Sequence, residues 1–230
     1  MSIWPRTTSL PSQCEVCRHW SRARLCGDCI ARFAAPVPRC RRCALRLGSA
    51  LPSCGGCLRE PPPFEQTACV ADYAFPWDRL IGDLKFHDRV ELAASLAQLL
   101  AEAAASTPRP DWVLPVPLAP RRLAERGFNQ AWELARRAAR LRGLAARADV
   151  LTRPVEGQHQ ADLPRAQRLA NLRAAFVVDG RRRDVIRGAR VALVDDVLTT
   201  GATAREAART LLQAGAAAVD IWVVARTEEA

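Results

Sequence analysis

Blocks of apolar residues recur along the chain at spacings that predict strands and helices in alternation. Residues 191–194 form a short apolar run without alternation, which is typical of a strand buried on both faces of a parallel sheet. Residues 219–225 are predicted as a strand that closes the sheet, and the intervening residues 204–212 have helical composition with no helix breaker. This order of strand, helix and strand predicts an α/β fold with a mainly parallel sheet.

The preceding part of the chain continues the alternation with shorter elements. Apolar or aromatic runs predict an edge strand at residues 67–75, a buried strand from residue 112, and short strands at 148–152 and 176–178. Apolar spacing and composition predict helices at residues 77–86, 89–105, about 126–141 and 165–171. Pro115 and Pro117 force the chain off the sheet at a strand end. In an open parallel sheet that edge is where ligands collect.

Two adjacent carboxylates and a hydroxyl-rich turn follow the strand of residues 191–194. Asp195 and Asp196 stand where that strand is predicted to end, and the turn consists of Thr199, Thr200, Gly201, Ala202 and Thr203. Such a turn before a helix gathers backbone N–H groups, hydroxyls and the positive end of a helix dipole, which together hold a phosphate. Gly201 allows the backbone to come close to a ligand.

This combination suits a sugar phosphate. The carboxylates would bind ribose hydroxyls, directly or through Mg²⁺, and the turn would bind the 5-phosphate. The alternative is an ordinary buried strand followed by an Asp-rich turn, which the fixed offset between acids and turn disfavours. A P-loop is excluded, because Gly201 is not followed by Lys and Ser or Thr and the P-loop pattern occurs nowhere in the chain.

Eight cysteines form four C-x-x-C pairs in the first part of the chain. They are Cys14 and Cys17, Cys26 and Cys29, Cys40 and Cys43, and Cys54 and Cys57. Each pair is half of a tetrahedral thiolate site, so successive pairs would close two compact ribbons, each holding one structural Zn²⁺. A cross-braced pairing would use the same residues. Disulfides or redox pairs are disfavoured, because a cytoplasmic protein keeps its thiols reduced.

The proline run at residues 61–63 predicts a stiff connector after the cysteine module. We therefore expect a tail at residues 1–13, a double zinc ribbon at residues 14–60 and an α/β domain at residues 61–230. The sequence shows no signal peptide and no apolar stretch long enough to span a membrane. A soluble cytoplasmic protein without membrane insertion is predicted.

The net charge of +10 favours an anionic partner, but the residues that produce it weaken the argument for nucleic acid. Of the 34 basic residues only Lys85 is a lysine, which is the bias expected of a GC-rich genome. Lys and Asn have been replaced almost everywhere in this chain. Lys85 and Asn129 are therefore candidates for positions whose chemistry the replacing residues cannot supply.

Taken in order, the motifs resemble those of the ComF family of competence-associated proteins. They are the four C-x-x-C pairs, Leu84-Lys85-Phe86, Pro115-Val116-Pro117-Leu118, the five residues from Arg126 to Gln130, Arg168 with Asn171, and the acid and turn segment. The acid and turn segment also resembles the binding motif of type I phosphoribosyltransferases. One departure is visible, since Gly157 and Pro164 stand where the family usually has Thr and Ser.

The resemblance implies a double zinc ribbon joined to a Rossmann-like type I phosphoribosyltransferase core that binds phosphoribosyl pyrophosphate with Mg²⁺. It also implies an association with DNA uptake in natural transformation, with single-stranded DNA and DNA-uptake proteins as partners. The pyrophosphate leaving group needs cations beyond the metal, and Lys85, Arg126 and Asn129 are predicted to bind it. The alternative for Asn129 is an N-cap of the following helix.

Three functions stay open from the sequence. The first is a phosphoribosyltransferase with an unspecified acceptor. The second is a non-catalytic DNA-uptake factor that binds single-stranded DNA and uses the site as a ligand sensor, which the basic residues Arg39, Arg41 and Arg42 and residues 181–183 favour. The third is an adaptor that binds only protein partners.

Overall fold

The computed structural model of the protein describes residues 11–49, 51–153 and 175–228, and its framework is a parallel sheet between two layers. In chain order the strands are β1 (Ser12–Gln13), β2 (Trp20–Ser21), β3 (Thr67–Asp72), β4 (Trp112–Pro115), β5 (Ala145–Ala146), β6 (Leu151–Thr152), β7 (Val177–Val178), β8 (Arg190–Leu198) and β9 (Ala218–Arg226). The helices are α1 (Gly27–Phe33), α2 (Gly55–Arg59), α3 (Trp77–Phe86), α4 (Leu92–Ala103), α5 (Pro120–Arg126), α6 (Gln130–Leu141), α7 (Arg183–Ile186) and α8 (Ala202–Gln213).

Five strands form the central sheet in the order β3-β9-β8-β4-β5, and all of their pairings are parallel. β9 is buried along its whole length, and β8 is buried from Val191 to Val194. Burial on both faces explains why these two stretches are mainly apolar, with Asp220 as a buried exception in β9. The predicted α/β fold with a parallel sheet is confirmed, and the segments that follow its strands lie along one edge.

Side chains alternate between the two faces of the sheet, as the two-residue period of a strand requires. Ala192, Val194 and Trp222 belong to the core that includes α3, α4 and α6. Leu193 and Val223 belong to the opposite core, which includes α8 and the antiparallel pair β6–β7. Each layer therefore packs on one face of β8 and β9, so the carboxyl end of β8 lies between the layers.

The first cysteine-containing segment packs directly on the helical layer. Leu25 is 4% exposed and belongs to the same core as α3 and α4. The indole Nε1 of Trp77, at the start of α3, donates to the carbonyl of Phe33 at the end of α1, with 2.7 Å between nitrogen and oxygen. This segment and the α/β part share a core. The predicted domain boundary at residue 61 stays a prediction.

Several elements differ from the predicted ones, and two of the differences lie beside the acids and the turn. The strand predicted to end at Asp195 and Asp196 runs on to Leu198, because β8 continues to pair with β9 after β4 has ended at Pro115. Helix α5 was not predicted, and it begins with Pro120, whose fixed φ suits the first helical position.

The helix predicted at residues 165–171, with Arg168 and Asn171, lies outside the described residues, as do Gly157 and Pro164. None of the described helices has the length and apolar composition needed to cross a membrane.

Candidate functional site

The two carboxylates lie where β8 extends past the end of β4. The last pair between these strands joins Pro115 to Val194, and the backbone N–H of Val116 still donates to the Val194 carbonyl at 2.8 Å. Beyond this point β8 keeps β9 as its neighbour, while the proline-containing chain leaves the sheet. This departure, which the prolines predict, frees one side of β8 at Asp195 and Asp196.

Lys85 contacts the more buried of the two acids from the last turn of α3. Its Nζ lies 2.5 Å from Oδ2 of Asp196, and the exposed fractions are 21% for the lysine side chain and 4% for the aspartate side chain. The contact is an ion pair, since Asp196 Oδ2 has no aligned hydrogen-bond donor among the described residues. An ammonium group carries three N–H donors. Lys85 can therefore hold Asp196 and present other N–H groups to a ligand.

Asp195 has no such cation of its own. Its Oδ1 accepts a hydrogen bond from the backbone N–H of Asp196 at 2.9 Å. Burial raises the pKa of Asp195 well above its usual range, and the neighbouring Asp196 raises it further, while Lys85 lowers it by a smaller amount. Two carboxylates beside one ammonium group form a site that a divalent cation would neutralise, and carboxylate oxygens are the ligands that Mg²⁺ prefers.

The threonine turn, residues 199–203, has the geometry of a helix N-terminus. Gly201 has φ 77° and ψ 4°, a left-handed conformation that strains any residue with a Cβ, and α8 begins directly after it. Thr200 Oγ1 accepts from the backbone N–H of Ala202 at 3.3 Å. Apart from Gly201, the residues of the turn are exposed: Thr199, Thr200, Ala202 and Thr203. First-turn N–H groups, which lack acceptors within the helix, thus lie beside exposed threonines.

A cavity of about 540 Å³ lies beside Lys85. Its charged lining residues are three cations and two acids, namely Lys85, Arg122, Arg126, Asp88 and Glu125. Arg126 Nη1 donates to Gln130 Oε1 at 2.5 Å, and the Arg126 guanidinium lies 5.3 Å from the ring centre of Phe86, which is 71% exposed. The excess of cations suits a multiply charged anion.

Asn129 lies apart from this cavity and caps a helix. Its Oδ1 accepts from the backbone N–H of Ala131 at 2.9 Å, and its Nδ2 donates to the Val116 carbonyl at 3.1 Å. It lines a different cavity of about 520 Å³. The structure thus brings Lys85 and Arg126 together, and it gives Asn129 the capping role that was its alternative.

The eight paired cysteines form two clusters. The first cluster contains Cys14, Cys17, Cys26 and Cys29, and the second cluster contains Cys40, Cys43, Cys54 and Cys57. Within each cluster the sulfur atoms lie within 4.8 Å of one another, and two of these distances are 3.7 and 3.6 Å. Four thiolates bound tetrahedrally to zinc at about 2.3 Å lie about 3.8 Å apart. Each cluster can therefore hold a zinc ion, and the grouping is sequential rather than cross-braced.

The protein environment favours one thiolate in each cluster. Burial raises the pKa of Cys14, but backbone N–H groups outweigh it and lower the pKa to about 6. The same balance lowers the pKa of Cys40 to about 7. Burial, and then the neighbouring sulfurs, raise the pKa of Cys29 and Cys57. A divalent cation bound among the sulfurs would relieve this repulsion. It would therefore favour the deprotonated thiolates that bind metal.

Full-length relatives decide the family. No protein-family model matches the chain. The chain is 36% identical over 231 residues to the DNA utilization protein YhgH of Salmonella typhi, an alignment that covers 95% of this chain and 99% of that protein. It is 30% identical over 223 residues to Competence protein F of Haemophilus influenzae, with 93% and 96% covered. The chain belongs to the ComF family.

The fold of this ComF-family protein agrees with the predicted class, because a parallel α/β sheet follows two Cys₄ clusters. Among solved structures, the chain is similar to the glutamine phosphoribosylpyrophosphate amidotransferase of B. subtilis, with a TM-score of 0.41 and 24% identity. That similarity covers 56% of this chain and 25% of the other. Family membership rests on the full-length relatives.

Three residues at the candidate site were not predicted from sequence. Arg122 and Phe86 line the cavity beside Lys85, and Arg226 lies 4% exposed at the end of β9, where its Nη1 donates to the Leu198 carbonyl at 3.3 Å. Arg226 did leave a signal, since it is a charged residue that directly follows the apolar run of residues 221–225. Arg122 left none, because arginine is common throughout the chain.

Proposed function

We propose that this ComF-family protein binds phosphoribosyl pyrophosphate together with Mg²⁺ and transfers the phosphoribosyl group to an acceptor. The observation that carries the proposal is the contact between Lys85 and Asp196 at the sheet edge from which the threonine turn begins. Carboxylates, a helix N-terminus and a cationic cavity are the three groups that a sugar bearing a phosphate and a pyrophosphate requires.

Each part of the ligand has a candidate partner. Asp195 and Asp196 would bind the ribose hydroxyls and hold Mg²⁺. The 5-phosphate would accept hydrogen bonds from the threonine turn, that is from Thr199, Thr200, Gly201, Ala202 and Thr203. Lys85 and Arg126, which share a cavity, would bind the pyrophosphate. Asn129, predicted as a further pyrophosphate ligand, would act by holding the start of α6, whose first residue, Gln130, is the hydrogen-bond partner of Arg126.

The chemistry follows from the charge on the leaving group. The acceptor forms a bond to the anomeric carbon as the bond from that carbon to the pyrophosphate oxygen breaks, and the electron pair leaves with pyrophosphate. Lys85 and Arg126 stabilise the negative charge that develops there. Mg²⁺ held by Asp195 and Asp196 would supply further positive charge to the leaving group. No covalent enzyme nucleophile is needed. Cations that bind the developing charge of the transition state more tightly than they bind the substrate lower the barrier by themselves.

The proposal assigns structural roles to two zinc ions, one in each cluster, since four thiolates leave a tetrahedral zinc ion without an open position. It places the protein in the cytoplasm, where reducing conditions keep the eight thiols available for metal.

The test is thermal stabilisation by phosphoribosyl pyrophosphate with and without Mg²⁺. Ligand at 100 times its Kd is expected to stabilise the wild type by about 2.7 kcal/mol. Asp196→Asn should lose most of this effect, because it removes the charge that Lys85 and the metal share. Asp184→Asn is the matched control, since that side chain is 92% exposed and distant from the site in sequence. Pyrophosphate release against a panel of bases and amines then tests turnover. A wild type that shows no stabilisation would contradict the proposal.

Binding of single-stranded DNA is the second candidate function. The exposed Phe86 ring with Arg126 across its face offers a stacking surface of the kind that binds unpaired bases. Among the other basic residues named for this role, Arg39 donates to Asp72 and Arg42 donates to the Phe64 carbonyl, so both are already engaged. Affinity for single-stranded DNA should fall steeply with salt, and Phe86→Ala should weaken it. An affinity that is flat between low and moderate salt excludes this role.

A further inference from the structure

Arg226 is a buried guanidinium that contacts two distant parts of the chain at once. It is the last residue of β9 and is 4% exposed. Its Nε donates to the carbonyl of Cys43, a member of the second cluster, at 3.0 Å. Its Nη1 donates to the carbonyl of Leu198 at 3.3 Å and to the carbonyl of Thr227 at 2.5 Å. One planar group therefore joins the second cluster to the residue that directly precedes the threonine turn.

No carboxylate pairs with Arg226 in the described part of the chain. The acid opposite it on β3 is Asp72, and that carboxylate already binds Arg39 at 2.6 Å and Arg46 at 3.2 Å. Arg226 donates instead to carbonyl and hydroxyl oxygens. A buried cation that is held only by neutral dipoles keeps its positive charge available to an anion nearby.

A second contact joins the same two regions. Glu60, which ends α2 after Cys57, lies 3.8 Å from Arg205 in the first turns of α8. The backbone N–H of Arg205 donates to the carbonyl of Gly201 within the threonine turn at 2.8 Å. The second cluster is thus connected to the start of the threonine turn through Arg226 and to its end through Arg205. Beside the first cluster, the polar contacts of Phe33 and Glu15 run instead to α3 and to the segment before α4.

We propose that Arg226 is a positioning residue that couples metal binding at the second cluster to the geometry of the threonine turn. Zinc bound at the second cluster would fix the carbonyl of Cys43, and this carbonyl would fix the guanidinium of Arg226. The guanidinium would in turn hold the Leu198 carbonyl, so that the turn keeps a conformation that can bind a phosphate. The part of this inference that concerns phosphate rests on the proposed function. The coupling between cluster and turn does not.

Hydrogen exchange of the turn amides in the zinc-loaded protein tests the coupling without any ligand. Exchange of residues 198–205 should be about tenfold faster in Arg226→Met, since the turn would then open locally at lower free-energy cost. Arg226→Lys keeps the charge but has no planar fork, so it should show an intermediate increase. Arg46→Gln is the control, because Arg46 lies near the second cluster but contacts Asp72 and is 54% exposed.

The link to the metal is tested by one cysteine substitution in each cluster. Cys57→Ser should accelerate exchange of the turn as Arg226→Met does, and Cys29→Ser should leave the turn unchanged. In the double variant Cys57→Ser with Arg226→Met, the two effects should not add, because they break the same connection. If the turn exchanges at the wild-type rate in both Arg226→Lys and Arg226→Met, or responds equally to loss of either cluster, the coupling is overturned.

Binding of phosphoribosyl pyrophosphate separates this inference from the proposed function. In a wild type that binds the ligand, Arg226→Met should weaken binding about 10- to 100-fold, as loss of a supporting contact behind a ligand does. The ligand should also raise the zinc affinity of the second cluster in equilibrium competition with a chromogenic chelator, since coupling between two sites is reciprocal. A wild type that binds no ligand defeats the proposed function, while the exchange experiment still decides the coupling. Unchanged affinity in both Arg226 variants defeats the role in phosphate binding.

Discussion

The two cysteine clusters share one ligand pattern but are joined to the sheet at different places. The first cluster contacts the helical layer, where Leu25 enters the core and Glu15 binds Arg89 at 2.6 Å. The second cluster contacts the carboxyl edge of the sheet through Asp72 and Arg226. One zinc-ribbon pattern therefore supports the core in one copy and borders the candidate ligand site in the other, which the spacing of the cysteines does not reveal.

One acid near the first cluster and one at the candidate site also differ in how the protein compensates their charge. The side chain of Glu15 is 6% exposed and has Arg18, Arg24 and Arg89 within 4 Å. Hydrogen bonding from Arg89 lowers its pKa, against a smaller rise from burial. Asp195, at the ligand edge, has the opposite shift, because burial and Asp196 raise its pKa. The acid beside the first cluster is compensated by the protein, whereas the acid at the site is left for a ligand or metal to compensate.

The largest effects should come from breaking the clusters themselves. Cys29→Ser and Cys57→Ser are each expected to lower the zinc content from two ions to one per chain and to lower Tm by about 10 °C or more, since structural zinc contributes several kcal/mol to folding. Cys29→Ser should have the larger effect on Tm, because the first ribbon supplies Leu25 to the main core. Elemental analysis and calorimetry measure both. An equal loss of Tm in the two variants would remove the distinction between the clusters.

Glu15→Gln should destabilise the protein by about 1–3 kcal/mol, because it weakens the charge-assisted hydrogen bonds that the buried carboxylate accepts from Arg24 and Arg89. The folded-state pKa of Glu15 is lowered, so the contribution is present above the unfolded pKa of about 4.3 and is lost as pH falls through the folded value. Denaturant unfolding at pH 7 and at decreasing pH measures it. Glu91→Gln is the matched control, since Glu91 also contacts Arg89 but is 40% exposed. A control that costs as much as Glu15→Gln would show that burial does not set the difference.

Asp195→Asn is expected to stabilise the ligand-free protein and to weaken binding of the ligand with Mg²⁺. Because the folded-state pKa is raised, the charge is unfavourable in the folded state, and the cost grows as pH rises from the unfolded value of about 3.9. Tm at pH 7 should rise by about 2 °C or more, and the gain should vanish near pH 4. Thermal unfolding across this range checks it, with Asp184→Asn as the exposed control. A fall in Tm at pH 7 would mean that Asp195 is already compensated within the fold.

Much of the fold follows from the sequence, because apolar periodicity reports burial directly. The predicted helix at residues 77–86 coincides with α3, and the edge position of β3 was also predicted. The pattern fails where pairing continues without apolar residues, as at Asp195 and Asp196 inside β8. It fails as well for α5, none of whose residues is buried. An exposed helix rich in arginine has no apolar face for a periodicity argument to find.

The individual residues of the site could be predicted from the sequence more fully than their contacts with one another. The acids and the threonine turn are adjacent in sequence, so their proximity needs no tertiary information. Lys85 was singled out by composition, but its contact with Asp196 depends on how α3 packs against β8. Arg226 comes from the last strand and Cys43 from the second cluster, and a contact across that sequence separation is set by the fold alone.

The smallest predicted effects concern the two arginines that join the second cluster to Asp72. Arg46→Gln should cost no more than about 0.5 kcal/mol, because its side chain is 54% exposed and water screens the pair. Arg39→Gln should cost about 1–3 kcal/mol, since Arg39 is 15% exposed and also donates to the carbonyl of Ala44 at 3.1 Å.

Denaturant unfolding of both variants and of the double variant separates the two contacts. If both arginines act only through Asp72, Asp72→Asn should cost about as much as the double variant, because removing the shared partner breaks both pairs at once. A much smaller cost for Asp72→Asn would place the effect of Arg39 in its bond to Ala44, inside the second ribbon. Arg226 would then be the main polar connection from the second cluster to the sheet, and the contrast with the first cluster, which is held by a core residue and a buried acid, would be sharper.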